Sequence, residues 1–437
     1  MSESELLARH RAVLPSWLSL YYEEPIELVS GEGCVVRDAE GNSYLDFFGG
    51  ILTTISGHGV PEILDAIRSQ ASRLLHTSTL YLIRPMVELA EKVAALSGIP
   101  DPKVFFVGSG TEATEAALLC CTARRGSNEV LALRNSYHGR SFAAMAVTGN
   151  QSWRASSLSP LRVSYVRNGD RLRSGFAGAS EKDFIAACVA ELREVIATTT
   201  SGRAACMIAE PIQGVGGFIV PPDGFFGALK EVLDEHGILF VSDEVQTGWG
   251  RTGDHFWGYQ AHGIVPDALT FAKGVGNGLA LGGLVARAEV IDAVSANSIS
   301  TFGGNPLATA GALANLDYLL EHDLQGNAAR VGAALGASLA PLARRLATVA
   351  EVRGRGLMLG VELVEPGTLL PSARAAALVL EGTRRRGVLI GKGGLHGNVL
   401  RIAPPLSVSA AEADEAARAI GAAIEEVDAE MSASASR

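Results

Sequence analysis

Two charged residues lie where apolar segments of the chain end. Asp243 closes ILFVSD and Lys273 closes ALTFAK. Open α/β sheets place ligand-binding groups at the carboxyl ends of their strands, and burying a lysine there is costly unless its amine is paired, neutralised or covalently modified. The sequence therefore leaves two interpretations open. Asp243 and Lys273 form an internal salt bridge, or they are an acid and a reactive amine that act on a bound group.

A candidate anion site follows another apolar segment, in VFFVGSGTEATEAA, where Gly108, Ser109, Gly110 and Thr111 lead into a helical sequence. Glycine lets the backbone approach a ligand closely, and a helix N-terminus offers free N–H groups to an anion. Plain helix capping by Ser109 or Thr111 explains the same residues equally well. No GxxxxGK[ST] loop is present, and no GxGxxG turn opens a βαβ unit that is followed by a ribose-binding acid, which argues against a nucleotide. A phosphate site, an acid and a lysine at strand ends of one sheet are what a pyridoxal phosphate site requires.

The pattern from about Lys103 onward predicts the sheet that would hold these residues. Apolar strand segments alternate with helical segments, which favours a mainly parallel sheet covered by helices. Interruptions of this alternation predict long loops over the sheet at residues 149–181 and 295–306. The strand segments are KVFFV, EVLALRN, AACMIAE, ILFVSDEV and ALTFAKG, and the helical segments are TEATEAALLCCTARR and FFGALKEVLDEHG.

The two ends of the chain predict a second, smaller unit. After an amphipathic helix near Leu6 to Leu20, residues 26–48 alternate like short antiparallel strands, with turns at 31–33 and 40–42. Beyond Leu320, GRGLMLGVELV and VLRIAP predict strands, and residues 373–386 predict a helix. We expect residues 1–48 and 319–430 to form a small α+β domain, residues 49–318 a large domain, and residues 431–437 a disordered tail.

Composition excludes several classes of protein. Hydrophobic residues make up 47% and charged residues 19% of the 437, as in globular chains, and the formal charge of −10 without a basic block argues against nucleic acid. We find no apolar run that could span a membrane and no secretory signal pattern in the opening residues. The five cysteines form no CxxC pair, so neither a disulfide framework nor a metal site is predicted. We expect a cytoplasmic enzyme.

Four longer motifs, EPIQGVGG, DEVQTGWGRTG, FAKGVGNG and STFGGNP, resemble the signatures of class III aminotransferases. The resemblance runs from YLDFFGG and GHGVP to LRIAPP, and HFWGYQAHGIVPDALTFAKG and GLMLGVEL are most similar to the alanine-glyoxylate aminotransferase 2 branch, which includes phospholyases. The resemblance implies fold type I of the pyridoxal phosphate-dependent enzymes, an α/β fold with a mainly parallel seven-stranded sheet between helices in the large domain. It also implies transfer of an amino group from an amino acid to an oxo acid such as pyruvate or glyoxylate.

The resemblance also assigns roles to single residues. Lys273 would form a Schiff base with the cofactor and move the Cα proton of the substrate, while Asp243 would keep the pyridine nitrogen protonated. Thr301, in STFGGNP, would reach the phosphate from a partner subunit, which implies shared active sites in at least a homodimer. The other implied positions are Ser109, Gly110 and Thr111 at the phosphate, Val245 and Tyr137 on the two faces of the ring with His138 beside Tyr137, Gln246 at the ring hydroxyl, and Glu210 near the ring. An ordinary loop aromatic at Tyr137 and a buried structural acid at Glu210 remain alternatives.

One departure from better-known relatives concerns the substrate. Arg401, in VLRIAPP, matches the arginine that binds the α-carboxylate, although a surface arginine on an edge strand is the alternative. Ornithine and 4-aminobutyrate aminotransferases carry EPxQGE, whose last acid masks that arginine, and here the position is Val215. We therefore expect alanine-like α-amino acids or β-amino acids to be preferred over long ω-amines. A pyridoxal phosphate lyase, such as a phospholyase or decarboxylase, or a racemase is the alternative function on the same scaffold.

Overall fold

The computed structural model describes residues 5–435, which form one large and two small β-sheets with helices packed around them. The strands are β1 Leu28–Glu32, β2 Val35–Asp38, β3 Ser43–Asp46, β4 Pro102–Val107, β5 Glu129–Leu133, β6 Arg162–Val166, β7 Cys206–Ala209, β8 Leu239–Asp243, β9 Ala268–Phe271, β10 Gly282–Arg287, β11 Val349–Arg355, β12 Met358–Leu363, β13 Val388–Leu389, β14 Gly391–Gly393 and β15 Val399–Ile402.

Helices connect most of these strands, and short 3₁₀ turns lie at Gln151–Trp153, Gly258–His262 and Lys273–Gly276. The helices are α1 Glu5–Val13, α2 Gly49–Leu52, α3 Pro61–Ala71, α4 Arg84–Leu96, α5 Gly110–Arg125, α6 Phe142–Ala146, α7 Glu181–Thr199, α8 Phe225–Glu235, α9 Ala288–Ile291, α10 Pro306–Glu321, α11 Leu324–Leu339, α12 Leu342–Arg345, α13 Ala373–Arg385 and α14 Ala410–Ala435.

The large sheet has seven strands in the order β4-β10-β9-β8-β7-β5-β6. β5 to β9 run parallel, whereas β10 is antiparallel to both of its neighbours, β4 and β9. Its central strands β5, β7 and β9 are buried along their whole length, which is why their sequences are continuous apolar runs rather than alternating ones. The predicted fold class, a mainly parallel seven-stranded sheet between helices, is confirmed.

Two four-stranded sheets lie outside this large sheet, in the orders β1-β2-β3-β13 and β11-β12-β15-β14. β3 pairs in parallel with β13, so the N-terminal segment and the C-terminal segment share one sheet. This pairing agrees with a small domain built from both ends of the chain. The boundaries at 48 and 318 stay predictions, and residue 318 lies inside α10, close to its end.

The helix α5 connects the core of the large sheet to its ligand-binding edge. Ala117, Leu118 and Cys121 of α5 pack with Val241 of β8 and Leu284 of β10 in one buried cluster. Its first turn begins at the carboxyl end of β4, beside the ends of β8 and β9, so the packing of α5 fixes where its N-terminal amides point.

Four details differ from the expectations. β6 lies within the predicted loop 149–181, because RVSYV pairs with β5 as an edge strand, and β10 was not predicted. The first helix ends at Val13, two residues before Pro15, and none of its residues is buried. The tail prediction for 431–437 is wrong for the described residues 431–435, since α14 continues to Ala435 and the side chain of Met431 is buried in the core. Residues 436–437 lie outside the described residues.

No helix within residues 5–435 is both long and apolar enough to cross a membrane.

Candidate active site

A cavity of about 330 Å³ lies at the carboxyl ends of β7, β8 and β9. It is lined by every residue that the sequence assigned to the cofactor, apart from Thr301, and also by Thr53 and residues 279–281, which no motif had indicated. The assigned residues that line it are Ser109, Gly110, Thr111, Tyr137, His138, Glu210, Asp243, Val245, Gln246 and Lys273. Five segments of the chain that carry the assigned residues thus meet in one place.

Asp243 is the last residue of β8 and is buried. Its Oδ2 lies 2.6 Å from Nδ1 of His138, and its Oδ1 accepts hydrogen bonds from the backbone amide of Val245 at 3.1 Å and from the hydroxyl of Thr270 at 3.3 Å. Within residues 5–435 no ion pair joins Asp243 to Lys273, so the alternative of a simple internal salt bridge is excluded. A carboxylate accepts about four hydrogen bonds, which leaves room for one more donor from the cavity.

Lys273 follows β9 directly after Ala272 and begins the 3₁₀ turn Lys273–Gly276. Its φ of 47° is left-handed, a conformation that costs a non-glycine residue roughly 1–2 kcal/mol. The pKa of its amine is lowered to about 8, mainly by burial and also by the positive charge of Arg401, while the charges of Asp243 and Glu210 act in the opposite direction. A considerable fraction of the amine is therefore neutral, and nucleophilic, near pH 8.

The N-terminus of α5 forms another wall. The Ser109 hydroxyl caps the helix by accepting a hydrogen bond from the amide of Glu112 at 3.2 Å, while Oε2 of Glu112 accepts from the amide of Gly108 at 2.7 Å. The first-turn amides of Gly110 and Thr111 have no acceptor within the helix. Ser109 is thus a helix cap, as one interpretation proposed, and the same turn presents free amides and the positive end of the helix dipole to the cavity.

Two further walls are apolar. A Cβ at Gly110 would lie 3.2 Å from both methyl groups of Val245, so a side chain at position 110 would crowd Val245 in the cavity. The ring of Tyr137 packs edge-on against the ring of Trp153, with centroids 5.3 Å apart. No motif had indicated Trp153. Tyr137 is therefore a packed wall of the cavity.

Glu210 follows β7 and is buried. Its Oε1 accepts a hydrogen bond from the amide of Tyr137 at 2.9 Å, and its Oε2 accepts one from the amide of Gly214 at 2.8 Å. Burial raises the pKa of this carboxyl to about 7; the nearby His138 lowers it and Asp243 raises it. Glu210 therefore holds the backbone of two loops as a structural acid does, and it also faces the cavity.

Arg401 belongs to β15, which lies between β12 and β14 and is not an edge strand. Its side chain is 3% exposed, so the alternative of a surface arginine is excluded. Its Nη2 donates a hydrogen bond to Oε1 of Gln246 at 2.6 Å, whereas its Nε has no hydrogen-bond partner. Among the ion pairs of residues 5–435 none includes Arg401. Burial lowers the pKa of this guanidinium to about 10.

Val215 lies beside this arginine. A Cβ at Gly393 would lie 2.9 Å from the carbonyl oxygen of Val215 and 2.7 Å from Cδ of Arg401, so both groups surround the same residue. The buried side chain of Val215 offers no charge to the guanidinium. Arg401 is consequently a buried cation without a carboxylate partner in the described chain.

Thr301 lies elsewhere. It is exposed and lines a surface depression of about 870 Å³ on the side of α5 that bears Leu119. Ile299 and Phe302 in the same loop are 50% and 68% exposed, and Leu119 is 49% exposed. The described chain therefore does not bring its own Thr301 into the cavity, and the loop that carries it presents apolar side chains to the outside.

The chemistry of the cavity fits pyridoxal phosphate. Free amides at the N-terminus of α5 suit a phosphate, and a partly neutral lysine suits an aldehyde. The buried Asp243 suits a protonated ring nitrogen, and Nε2 of His138, the residue behind it, is buried without a hydrogen-bond partner. Such a site would hold a compact anionic ring compound, and Arg401, which does not line the cavity itself, contacts its lining residue Gln246.

Comparisons with known proteins agree with this chemistry. The family described as Aminotransferase class-III matches residues 21–424. The alanine–glyoxylate aminotransferase 2 homolog 2 of Arabidopsis thaliana, a mitochondrial protein, is 38% identical over 415 residues, covering 94% of this chain and 86% of that protein. The acetylornithine aminotransferase of Methanothermobacter thermautotrophicus is 35% identical over 428 residues, covering 98% and 100%.

A solved structure is similar over almost the whole chain as well. The amine transaminase of an uncultivated Pseudomonas species, crystallised in its PLP-bound form, superimposes with a TM-score of 0.88 at 32% identity and covers 95% of this chain and 98% of that one.

Proposed function

We propose that Lys273, Asp243 and Arg401 carry the transamination of this chain, which belongs to the class III aminotransferases and uses pyridoxal phosphate as its cofactor. These comparisons favour transamination over a lyase or racemase reaction. The observation that carries the proposal is that Gln246, which lines the cavity together with Lys273 and Asp243, accepts a hydrogen bond from Arg401, a buried guanidinium without a carboxylate partner in the described chain.

Pyridoxal phosphate, when bound, supplies an aldehyde that reacts with amines and a ring that takes up the electrons of a bond broken at the substrate Cα. In our proposal Lys273 is the residue to which the aldehyde attaches. Its lowered pKa would let the free amine of Lys273 take the proton from the substrate Cα. Asp243, fixed by His138 and by the amide of Val245, holds a proton at the ring nitrogen.

The remaining cavity residues bind and orient. The amides and hydroxyls of the 109–111 turn hold the phosphate at the N-terminus of α5, and Tyr137 and Val245 bracket the ring. Gln246 hydrogen-bonds the ring hydroxyl while it keeps its contact with Arg401, and Glu210 supports the ring's surroundings through the loop amides that it binds.

The substrate class follows from Arg401. A buried guanidinium without an internal anion recognises a carboxylate through two parallel hydrogen bonds, and leaving it unpaired is costly. Because Val215 cannot mask it, Arg401 is available in both half-reactions. We propose that the donor is an alanine-like α-amino acid or a β-amino acid and that the acceptor is an oxo acid such as pyruvate or glyoxylate.

We also propose a homodimer in which Thr301 of each subunit reaches the phosphate of the other. The exposure of Thr301, Ile299 and Phe302 supports it, since a loop of this composition is suited to burial against a second copy. For the location of the enzyme we propose the cytoplasm. All five cysteines are unpaired and buried, as is usual in a reducing compartment, and fractionation of cells tests this part.

Half-reactions with single donors test the substrate class. Purified holoenzyme is mixed with alanine, 3-aminoisobutyrate or ornithine, and the change in the visible absorption of the bound cofactor is followed. We expect alanine or 3-aminoisobutyrate to react at least about tenfold more efficiently than ornithine, because a lost charge-assisted hydrogen bond is worth about that factor. The Lys273→Ala variant should show no turnover.

A strong preference for ornithine would contradict the role given to Arg401 and Val215. Release of phosphate or carbon dioxide from a substrate without any amino acceptor would instead contradict transamination itself.

A further inference from the structure

Two phenyl rings contact the guanidinium of Arg401. Its central carbon lies 4.7 Å from the ring centroid of Phe218 and 5.1 Å from that of Phe48. Both rings are buried, and they come from different parts of the chain, Phe48 between β3 and α2 and Phe218 from the loop after β7. A guanidinium over aromatic faces is attracted by their quadrupoles, most strongly when it is shielded from water.

The backbone beside each ring is strained, which indicates that both rings are held in place. Phe218 itself has a φ of 52°, and Phe48 is followed by four left-handed residues, 49–52, of which Ile51 has a φ of 66°. A β-branched residue in this region is a clear outlier and persists only where its surroundings impose it. Oδ1 of Asp46 accepts hydrogen bonds from the amides of Phe48 and Gly49 at 3.1 and 2.8 Å and so fixes the start of this turn.

The neighbours of the rings and of Gln246 leave no room for them to move. A Cβ at Gly391 would lie 2.2 Å from the ring of Phe48, and a Cβ at Gly214 would lie 2.4 Å from the amide of Gln246. Tyr21, from the same N-terminal segment, stacks on Phe48, with centroids 5.7 Å apart and planes inclined by 23°. The two rings and Gln246 therefore hold Arg401 at three points.

We propose that Phe48 and Phe218 are positioning residues that keep Arg401 in one orientation and thereby restrict the enzyme to amines that carry a carboxylate. The inference rests on the proposed function, in which Arg401 is the carboxylate receptor. A mobile arginine could turn away from an uncharged substituent, whereas one held by two rings and a glutamine stays in the pocket. An amine without a carboxylate then leaves a buried cation unpaired, and the pocket rejects it.

The test compares alanine with 1-phenylethylamine, an amine without a carboxylate, in half-reactions of the holoenzymes of the wild type, Phe48→Leu and Phe218→Leu. We expect each substitution to lower the ratio of kcat/KM for alanine over that for 1-phenylethylamine by about tenfold, the upper range for a shielded cation–π contact. KM for alanine should rise while kcat changes little, because the catalytic lysine and aspartate are untouched. The dissociation constant of propanoate, measured by calorimetry, should rise by a similar factor.

Phe47→Leu is the matched control. Phe47 is the buried neighbour of Phe48 in sequence but packs in the main core and makes no cation–π contact with Arg401. It should leave the substrate ratio and the propanoate affinity unchanged. Because Phe48→Leu carries the test alone, a failure of Phe218→Leu to fold would not remove it.

Arg401→Leu separates the two levels of the argument. If it leaves KM for alanine unchanged, the proposed function loses its receptor. If it raises KM strongly while Phe48→Leu and Phe218→Leu change neither the ratio nor the affinity for propanoate, only the inference about the two rings is overturned. Wild-type turnover of 1-phenylethylamine as efficient as that of alanine would overturn it too.

Discussion

The cofactor cavity and the pocket around Arg401 are built in different ways. In the cavity, Glu210, Asp243 and Lys273 follow three adjacent strands of one parallel sheet, so the pairing of β7, β8 and β9 brings them together. Around Arg401, the residues come from the N-terminal segment, the loop after β7 and a strand of a small sheet. The first site depends on local sheet geometry, and the second depends on how distant segments pack.

The two regions also differ in how their charges are paired. Asp243 has His138 and two further donors, whereas Arg401 has one glutamine oxygen and no carboxylate. A site that keeps its cofactor bound is best lined by charged groups already fixed by hydrogen bonds. A site whose substrate leaves in every catalytic cycle needs a charged group without a permanent partner, so that the substrate can pair with it. Substitutions in the cavity should therefore lower the reaction rates of all amino-donor substrates alike. Substitutions around Arg401 should affect only the amino-donor substrates that carry a carboxylate.

Among substitutions that keep Lys273, the largest effect is expected for Asp243→Asn. An amide cannot hold the ring nitrogen in its protonated form, and the loss of such electrostatic stabilisation lowers kcat by about 1,000-fold. The decrease should be equal for alanine and for 3-aminoisobutyrate, since the change lies on the cofactor side. Single-turnover rates with both donors measure it, and an effect confined to one donor would contradict the separation of the two regions.

Glu244→Gln is the control for that substitution. Glu244 is the next residue and is also buried, but its carboxylate accepts hydrogen bonds from the amides of Gly258 and Tyr259, both at 2.8 Å, and does not line the cavity. Its loss should lower the free energy of unfolding by about 1–3 kcal/mol through the unsatisfied amides. kcat of the folded variant should stay close to that of the wild type.

Glu210→Gln tests the charge balance of the cavity by pH. The folded state raises the pKa of Glu210 to about 7 from 4.5, so it favours the protonated carboxyl. This contribution to stability is complete below pH 4.5 and is lost as the pH rises through about 7, a decrease of at most about 3 kcal/mol. In the apoenzyme of Glu210→Gln this decrease should be absent, which denaturant titrations at several pH values measure. The exposed Glu231→Gln should keep the wild-type slope, and an unchanged slope in Glu210→Gln would contradict the assignment.

The sequence predicted the cofactor cavity far better than the pocket around Arg401. Asp243 and Lys273 could be found because each ends an apolar run, and parallel strands bring such ends together. Phe48 lies within the recognised motif YLDFFGG, and Phe218 directly follows EPIQGVGG. Neither was assigned a role, because their contact with Arg401 depends on packing between segments far apart in the chain. The order of residue types along the chain does not predict such long-range contacts.

The same physical reason explains the errors in the fold. The pattern predicts a loop at β6 because RVSYV is short and lies between segments rich in serine and glycine. Only its pairing with β5 makes it a strand. The tail at 431–435 looked disordered because MSASA has little to bury. Packing of Met431 into the core continues α14 nonetheless, and alanine favours a helix once its neighbours hold one.

A smaller effect is expected at Thr301, which we propose reaches the phosphate of a second subunit. Thr301→Ala should weaken cofactor binding by roughly tenfold or more, since one hydrogen bond to a charged phosphate is lost. If Thr301 acts across a dimer, a mixture of Lys273→Ala and Thr301→Ala subunits contains hybrid dimers with one fully intact site, formed by Lys273 of one subunit and Thr301 of the other.

The two variants are refolded together and assayed at a cofactor concentration that leaves Thr301→Ala alone nearly inactive. Half of the randomly mixed dimers are hybrids, and each hybrid carries one intact site out of two, so we expect about a quarter of the wild-type activity. The same mixture made with Asp243→Asn in place of Thr301→Ala is the control. Asp243 and Lys273 line the same cavity of one chain. In the hybrid dimer, one site therefore lacks the lysine and the other lacks the aspartate, so neither site contains both residues. Complementation with Thr301→Ala but not with Asp243→Asn would show that Asp243 and Lys273 act within one chain and that Thr301 acts from the partner subunit. Equal results from both mixtures would contradict the shared site.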